Sequence, residues 1–290
     1  MKQSIGKSFL FTLAVYGLAA LFGLFVYRTL RLEPIVRLLA ADVAATLLVY
    51  LVSVPLGNAS VYDPYWSVAP VVMLPFAISE FGEWNAGTIA LLVCVVYWGV
   101  RLTANWAYTF RGYAHQDWRY TMLREKTGAF YPLVSLLGIM LFPTLVVFFC
   151  LLPALHYIQN GGVNWMTGLG FLLCLSAATL QLIADAQMHA FQTRAKNRAA
   201  ILRTGVWRHA RHPNYLGEIL MWWGVYLVTV SALPQLWPLG LGALLNTLMF
   251  LFISIPMAET RLSGYKEGFD AYVVETNLLL PLPLGKAKQR

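Results

Sequence analysis

The chain has 290 residues, 59% apolar and only 12% charged, with a formal net charge of +8. Soluble domains carry about 25% charged residues, so this balance excludes an ordinary soluble protein and places the chain in a membrane. The positive charge is then a matter of loop topology rather than of nucleic acid.

In chain order, the first apolar run covers about Phe9 to Val26 behind Lys2 and Lys7. It lacks a small-residue cleavage site and reads as a retained anchor. A second segment spans about Ile35 to Leu56. Asp63-Pro64-Tyr65-Trp66 leads into a third, about Trp66 to Ile78, made irregular by Pro70 and Pro75. A fourth covers about Gly87 to Tyr108 and a fifth about Tyr131 to Leu155, kinked near Pro143. The sixth runs from Asn164 to Ala184, the seventh ends before Pro234, and the eighth covers about Leu236 to Ile255. At about 20 apolar residues per span, the pattern predicts an all-α polytopic bundle of about eight transmembrane helices, with seven as the alternative count. Cys94, Cys150 and Cys174 sit inside these segments at unrelated spacings, which fits neither a disulfide framework nor a zinc site.

No linker or repeat divides the chain, so residues 1–290 read as a single membrane domain. Within it, 1–130 would hold substrate-side residues and 131–290 a cofactor-binding half. Basic residues collect in two loops. Arg111, Arg119, Arg124 and Lys126 follow the fourth segment, and Arg194, Lys196, Arg198, Arg203, Arg208 and Arg211 follow the sixth. With the N-terminus and the tail of Lys286, Lys288 and Arg290, they predict one cytoplasmic face. Arg28 and Arg31 lie on the opposite side and do not fit.

The stretch from Leu202 to Gly224 organises the rest. Gly205 can take a positive φ, and Pro213 suits the first turn of a helix, where no amide donor is needed. A helix starting near His212 puts Arg211, Asn214 or Tyr215, Glu218 and Trp222 on one face. Polar groups at the mouth of an apolar segment default to a functional reading. Two further groups have the same character: Gln181, Asp185, His189, Gln192 and Lys196 at helical spacing, and Glu259, Arg261, Tyr265 and Tyr272. Guanidinium forks match phosphate oxygens, and carboxylates and amides can hold ribose hydroxyls and a carboxamide, so the set suits a phosphorylated cofactor. The bland alternative is that the cations only obey loop topology, Arg194 and Arg198 above all. A fourth group sets Asp63 with Tyr62, Tyr65 and Trp66 against Tyr97, Trp98, Arg101 and Asn105. Here the plain reading is an Asp63–Arg101 pair pinning two helices. The functional reading is a carboxylate beside phenols that polarises a substrate carbonyl.

Gly205-Val-Trp207, Arg211-His212-Pro213-Asn214-Tyr215-Leu216-Gly217-Glu218, Tyr265, Tyr272 and Leu280-Pro281 together resemble the C-terminal domain of the steroid 5-alpha-reductase family, in particular its uncharacterised bacterial branch. A fainter likeness covers Asp63, Trp66, Trp98, Arg101 and Leu102. The resemblance implies a reductase, in a bacterial inner membrane, that uses NADPH to saturate a carbon–carbon double bond conjugated to a carbonyl. Its substrate would be steroid-like or otherwise lipophilic and would enter from the bilayer. By that likeness Asp185, Asn214, Glu218 and Tyr265 would hold the dinucleotide, joined by Arg211, Tyr215 and Arg261; His189, Arg194, Lys196, Arg203 and Glu259 complete the candidate cofactor set. Asp63 would stand where the family has a carbonyl-contacting glutamate, and Trp98, with Tyr97 beside it, where the family has a tyrosine. An indole donates one hydrogen bond but is no acid.

Two other readings stay open. Arg211-His212-Pro213, Tyr215 and Gly217 also resemble the isoprenylcysteine and phospholipid methyltransferases, which use S-adenosylmethionine, and Glu259 and Leu262 echo their acidic motif. A non-catalytic protein that binds membrane lipid through its basic loops is the third.

Overall fold

Asn85 and Asn164 each stand before a long apolar run and close a reciprocal capping pair with the threonine three residues on, Thr88 and Thr167. Such signals start the helices; apolar length carries them across. The computed structural model describes residues 5–195 and 197–281. Lys196 and the terminal lysines and arginine expected on the cytoplasmic face therefore lie outside the described residues.

The first part of the chain contains α1 (Ile5–Thr29), α2 (Pro34–Leu56), α3 (Tyr65–Phe81) and α4 (Ala86–Thr109). A run of helical segments then covers Trp118 to Asn160, comprising α5 (Trp118–Thr127), α6 (Tyr131–Val134) and α7 (Phe142–Asn160), with a break at Gly128, which adopts φ 52°. The second part contains α8 (Trp165–Arg194), α9 (Pro213–Ala232), α10 (Leu241–Met249), α11 (Ile255–Ser263) and α12 (Phe269–Glu275). The described residues contain no strand, only an isolated parallel bridge between Ala210 and Asn277. Seven helices among them are long and apolar enough to cross a bilayer, α10 and α11 counting as one run. Of the eight expected segments, the one not among them is the third, α3. Its 17 residues fall short of a full span of about 20.

Two helices widen for one turn immediately before a proline. The Phe142 amide bonds to the Leu137 carbonyl ahead of Pro143, and the Ile255 amide to the Phe250 carbonyl ahead of Pro256. A proline has no amide hydrogen and its ring crowds the carbonyl four residues back, so a one-residue bulge lets the helix pass through it. The kink expected near Pro143 is this bulge.

The chain divides into two compact units, 1–161 and 162–290. In the first, α1 packs on α2 through Val15, Ala19, Ala45 and Val49, and the cluster continues through Tyr62, Tyr65, Tyr120, Tyr131 and Met140. The Thr144 hydroxyl links α7 to Thr46 and Tyr62 at 3.0 and 2.8 Å. Leucines, valines and phenylalanines such as Leu10, Leu21, Phe25 and Leu51 face outward, as lipid contact requires. The three cysteines are buried, and none forms a disulfide among the described residues.

In the second unit α8 and α9 form an antiparallel pair held close by small residues, the usual device where lipid removes the hydrophobic drive between helices. A Cβ on Gly217 would stand 2.6 Å from the Ala177 carbonyl oxygen. One on Gly224 would stand 2.6 Å from Cys174 Sγ, and one on Gly170 2.8 Å from the Val228 amide nitrogen. These contacts fix the register: each turn toward the C-terminus of α8 meets the preceding turn of α9. Continued by one turn, the same face brings Asp185 opposite Pro213.

Candidate functional site in the second unit

The site is built where α9 begins. Gly205 adopts φ 61°, and the turn lets the Val206 amide donate to Gln187 Oε1 at 3.0 Å. A side chain on Gly205 would occupy that amide's place, since its Cβ would lie 2.2 Å from the same oxygen. Trp207 is buried; its indole donates to the Ala184 carbonyl at 2.9 Å. The loop is thus pinned to the end of α8, and α9 starts with Pro213 directly after His212.

Arg211 and His212 converge on one carboxylate. Arg211 Nε donates to Glu259 Oε1 at 2.7 Å, and His212 Nε2 lies 3.0 Å from the same oxygen. The Arg211 guanidinium also donates to the carbonyls of Val273 and Thr276. The imidazole of His212 stacks on the Tyr215 ring, 5.2 Å between centroids and 5° from parallel, and Tyr215 leans on Phe250 at 4.9 Å. One turn deeper, the buried Glu218 accepts a hydrogen bond from the Trp222 indole at 2.9 Å. Asn214 is partly buried and accepts from the Tyr215 amide at 3.1 Å.

A C-terminal clasp closes over this loop. The Arg211 and His212 amides donate to the carbonyls of Asn277 and Leu278. The Tyr272 hydroxyl donates to the Trp207 carbonyl at 2.7 Å. Burial pushes that phenol up to about 12, so it remains a donor through the physiological range. Arg203 pairs with Glu275, donates to the Gly268 carbonyl and stacks over the Tyr272 ring.

The structure therefore joins Arg211, His212, Tyr215 and Glu259 in one contact group. Glu218 lies one turn deeper on α9, and the helix register brings Asp185 opposite the start of α9. His189 follows Asp185 by one turn and is partly buried. Arg194, Arg261 and Tyr265 are exposed, the last with the Lys266 ammonium 5.3 Å from its ring. Arg203 is turned onto the clasp. Arg211, expected among the residues that join the dinucleotide site, has its guanidinium on Glu259 and on the carbonyls of Val273 and Thr276. Gln187 and Glu275, which shape the loop, were not anticipated.

In the first unit Asp63 accepts from the Tyr120 hydroxyl at 2.6 Å. The cation acting most strongly on it is Arg119, not the Arg101 that sequence reading set beside it. Burial pushes the Asp63 carboxyl up to about 7. Trp98 is fully buried, 6.2 Å from the Trp66 ring, and Tyr97 is partly buried.

No curated protein and no solved structure matches the chain. A family model described as "Protein of unknown function (DUF1295)" matches residues 49–276, the greater part of the sequence, and the chain belongs to that family.

Proposed function

We propose that the protein is a membrane-embedded, NADPH-dependent reductase that saturates a carbon–carbon double bond conjugated to a carbonyl in a lipophilic substrate. The observation that carries this reading is the polar face at the head of α9. Asn214, Tyr215 and Glu218 fill its first two turns, and Glu218 is 5% exposed in an otherwise apolar surround. A buried carboxylate is expensive unless it has work or partners. The Glu218 carboxylate accepts from the Trp222 indole at 2.9 Å, and carboxylate oxygens are also the acceptors that ribose hydroxyls or a carboxamide require. Asp185 across the α8–α9 seam and the amide of Asn214 extend the same donor and acceptor set. This set fits a dinucleotide, and the resemblance to steroid 5-alpha-reductases points the same way.

Bound NADPH would supply the hydride. The chain's own residues would do the rest. Asp185, Asn214 and Glu218 would hold the dinucleotide, while Arg211, clamped by Glu259 and the clasp carbonyls, would set the position of the α9 start. With its carboxyl pushed up to about 7 by burial, Asp63 is present in both the protonated and the ionised form near neutral pH. It can therefore donate to a carbonyl oxygen as charge develops there.

One observation favours a second reading. Glu259 neutralises Arg211, and Arg203 is drawn to Glu275. A site whose arginines are balanced in this way suits a zwitterionic or cationic cofactor as well as a polyanion, which keeps S-adenosylmethionine in play. The test is calorimetric titration of the detergent-purified chain with NADPH, NADH and S-adenosylmethionine, with Asn214→Ala and Glu218→Gln as variants. Glu218→Gln retains an acceptor for Trp222, so its fold is preserved. NADPH binding that weakens at least about tenfold in both variants, about 1.4 kcal/mol, is the expected result. Binding of S-adenosylmethionine alone transfers the assignment to the methyltransferases, and binding of none of the three removes both.

A further inference from the structure

Between α2 and α3 the chain makes a short buried turn, Ala59–Tyr62, that ends on Asp63. The start of α5 is stitched onto it. The Asn58 side chain donates to the carbonyls of Tyr113 and His115 at 2.9 and 3.0 Å, and the Asp117 amide donates to Ser60 Oγ at 3.0 Å. Asp117 in turn caps α5, its carboxylate accepting from the Arg119 amide at 2.8 Å. With the first turn of α5 docked in this way, Tyr120 is buried and its hydroxyl donates to Asp63 Oδ1 at 2.6 Å.

The titratable and charged groups that face Asp63 are Tyr16 of α1, Tyr62 of the turn, Tyr113 of the loop before α5, and Asp117, Arg119 and Tyr120 at the start of α5. Most are committed elsewhere. Tyr16 donates to the Val61 carbonyl at 2.8 Å, Tyr62 shares a hydrogen bond with Thr144 at 2.8 Å, and Tyr113 shares one with Thr12 at 2.6 Å. Arg119 is bonded to Asp117. Among the described residues, the hydroxyls turned on the carboxyl itself are those of Ser60 and Tyr120. A donor stabilises an ionised carboxylate more than a neutral acid, so the Tyr120 bond strengthens once Asp63 has lost its proton. The phenol is the weaker acid and keeps its own proton.

We infer that Tyr120 is the positioning residue of Asp63: its hydroxyl, carried in by α5, aims the carboxyl and stabilises the carboxylate left when the acid proton passes to a substrate carbonyl oxygen. In that step the Asp63 O–H bond breaks, its electron pair stays on the carboxylate, and the new O–H bond forms on the substrate. The inference rests on the reading of Asp63 as the acid of the proposed reductase.

The test is an infrared pH titration of the full chain in lipid vesicles, following the carboxylic-acid carbonyl band that Asp63→Asn removes. Tyr120→Phe keeps the ring in its packed place and deletes only the hydroxyl. Its band should titrate about one pH unit above the parent's, the worth of one hydrogen bond to a charged group. An unshifted midpoint, with amide bands matching the parent's, overturns the inference. The parent alone gives a second test that needs no variant: an Asp63 band at the frequency of an isolated acid means that no donor meets the carboxyl, and overturns the inference as well. Neither measurement needs cofactor or substrate. A shifted midpoint in a chain that binds no NADPH therefore supports the hold of Tyr120 on Asp63 and counts against the reductase alone. An unshifted midpoint in a chain that binds NADPH counts against Tyr120 alone.

Discussion

Two carboxylates in the two units are handled in opposite ways. Glu259 is met by a guanidinium and an imidazole on the same oxygen, so its charge is matched within one contact shell. Asp63 receives a phenol at 2.6 Å, while its nearest strong cation, Arg119, is bonded to Asp117 at 2.8 Å. The first carboxylate serves as an anchor for a loop. The second is left with its proton in play, which is the property an acid near a substrate carbonyl needs. The contrast teaches that burial and charge do not by themselves mark a reactive group; what matters is whether the structure has already matched the charge.

The largest effect should come from breaking the anchor. Glu259→Gln leaves Arg211, 10% exposed, without a charged partner. Removing one side of a buried pair costs about 3–5 kcal/mol, and the partial exposure of Glu259 brings this to about 2–4 kcal/mol. Thermal unfolding of the purified chain should show the loss. The double variant Arg211→Met with Glu259→Gln should recover part of it, because no stranded cation then remains. If the two single substitutions simply add, the pair is not an anchor.

Next in size is the seam that carries Asp185 to the start of α9. Gly217→Ala forces a Cβ against the Ala177 carbonyl and Gln181, an overpacking worth about 1–3 kcal/mol. Gly168→Ala, on α8 with open space around its Cβ, is the control and should be neutral or slightly stabilising. Equal melting temperatures for the two would mean that the seam is looser than its glycines imply.

Asp63 gives a smaller, pH-dependent effect. Its folded pKa is raised to about 7 from an ordinary value of about 4. The folded state therefore binds the proton more tightly than the unfolded one. That contribution is fully present below about pH 4 and is lost as pH rises through about 7. The full shift would be worth about 4 kcal/mol, and partial exposure of the carboxyl lowers this to about 1–2 kcal/mol. Melting temperatures of the parent should fall between pH 5 and pH 8 relative to Asp63→Asn, which keeps the acceptor for Tyr120. Parallel curves for the two proteins would remove Asp63 as the titrating group and with it the proposed acid.

Much of this was legible in the residues. Gly205 and Pro213 announced the turn and the helix start, and Glu218 and Trp222, four apart, bond as helix neighbours should. The all-α bundle of long apolar helices followed from length and composition, although about eight spans were expected and seven are long enough. What escaped had physical reasons. Arg211 is held partly by the carbonyls of Val273 and Thr276, and a carbonyl acceptor leaves no mark in the side-chain sequence. The Tyr120 partner of Asp63 sits on α5, a polar helix whose charged residues read as a loop.

The smallest stability effect belongs to Arg203, and it separates anchoring from cofactor binding. Arg203 and Glu275 are 43% and 58% exposed, so their pair is screened by water and salt and contributes about 0.2–1 kcal/mol. Arg203→Ala should therefore lower the melting temperature only slightly, and by less in high salt. If Arg203 serves only the clasp, the ratio of NADPH to NADH affinity should be unchanged. If, as the proposed reductase would allow, it can leave Glu275 to meet the extra phosphate, that ratio should fall several-fold while NADH binding stays constant. Glu275→Gln should then act in the opposite sense, because it frees the guanidinium without removing it. The two substitutions disturb the same exposed pair to a similar small extent, so opposite changes in the NADPH to NADH ratio could arise only from the cation itself.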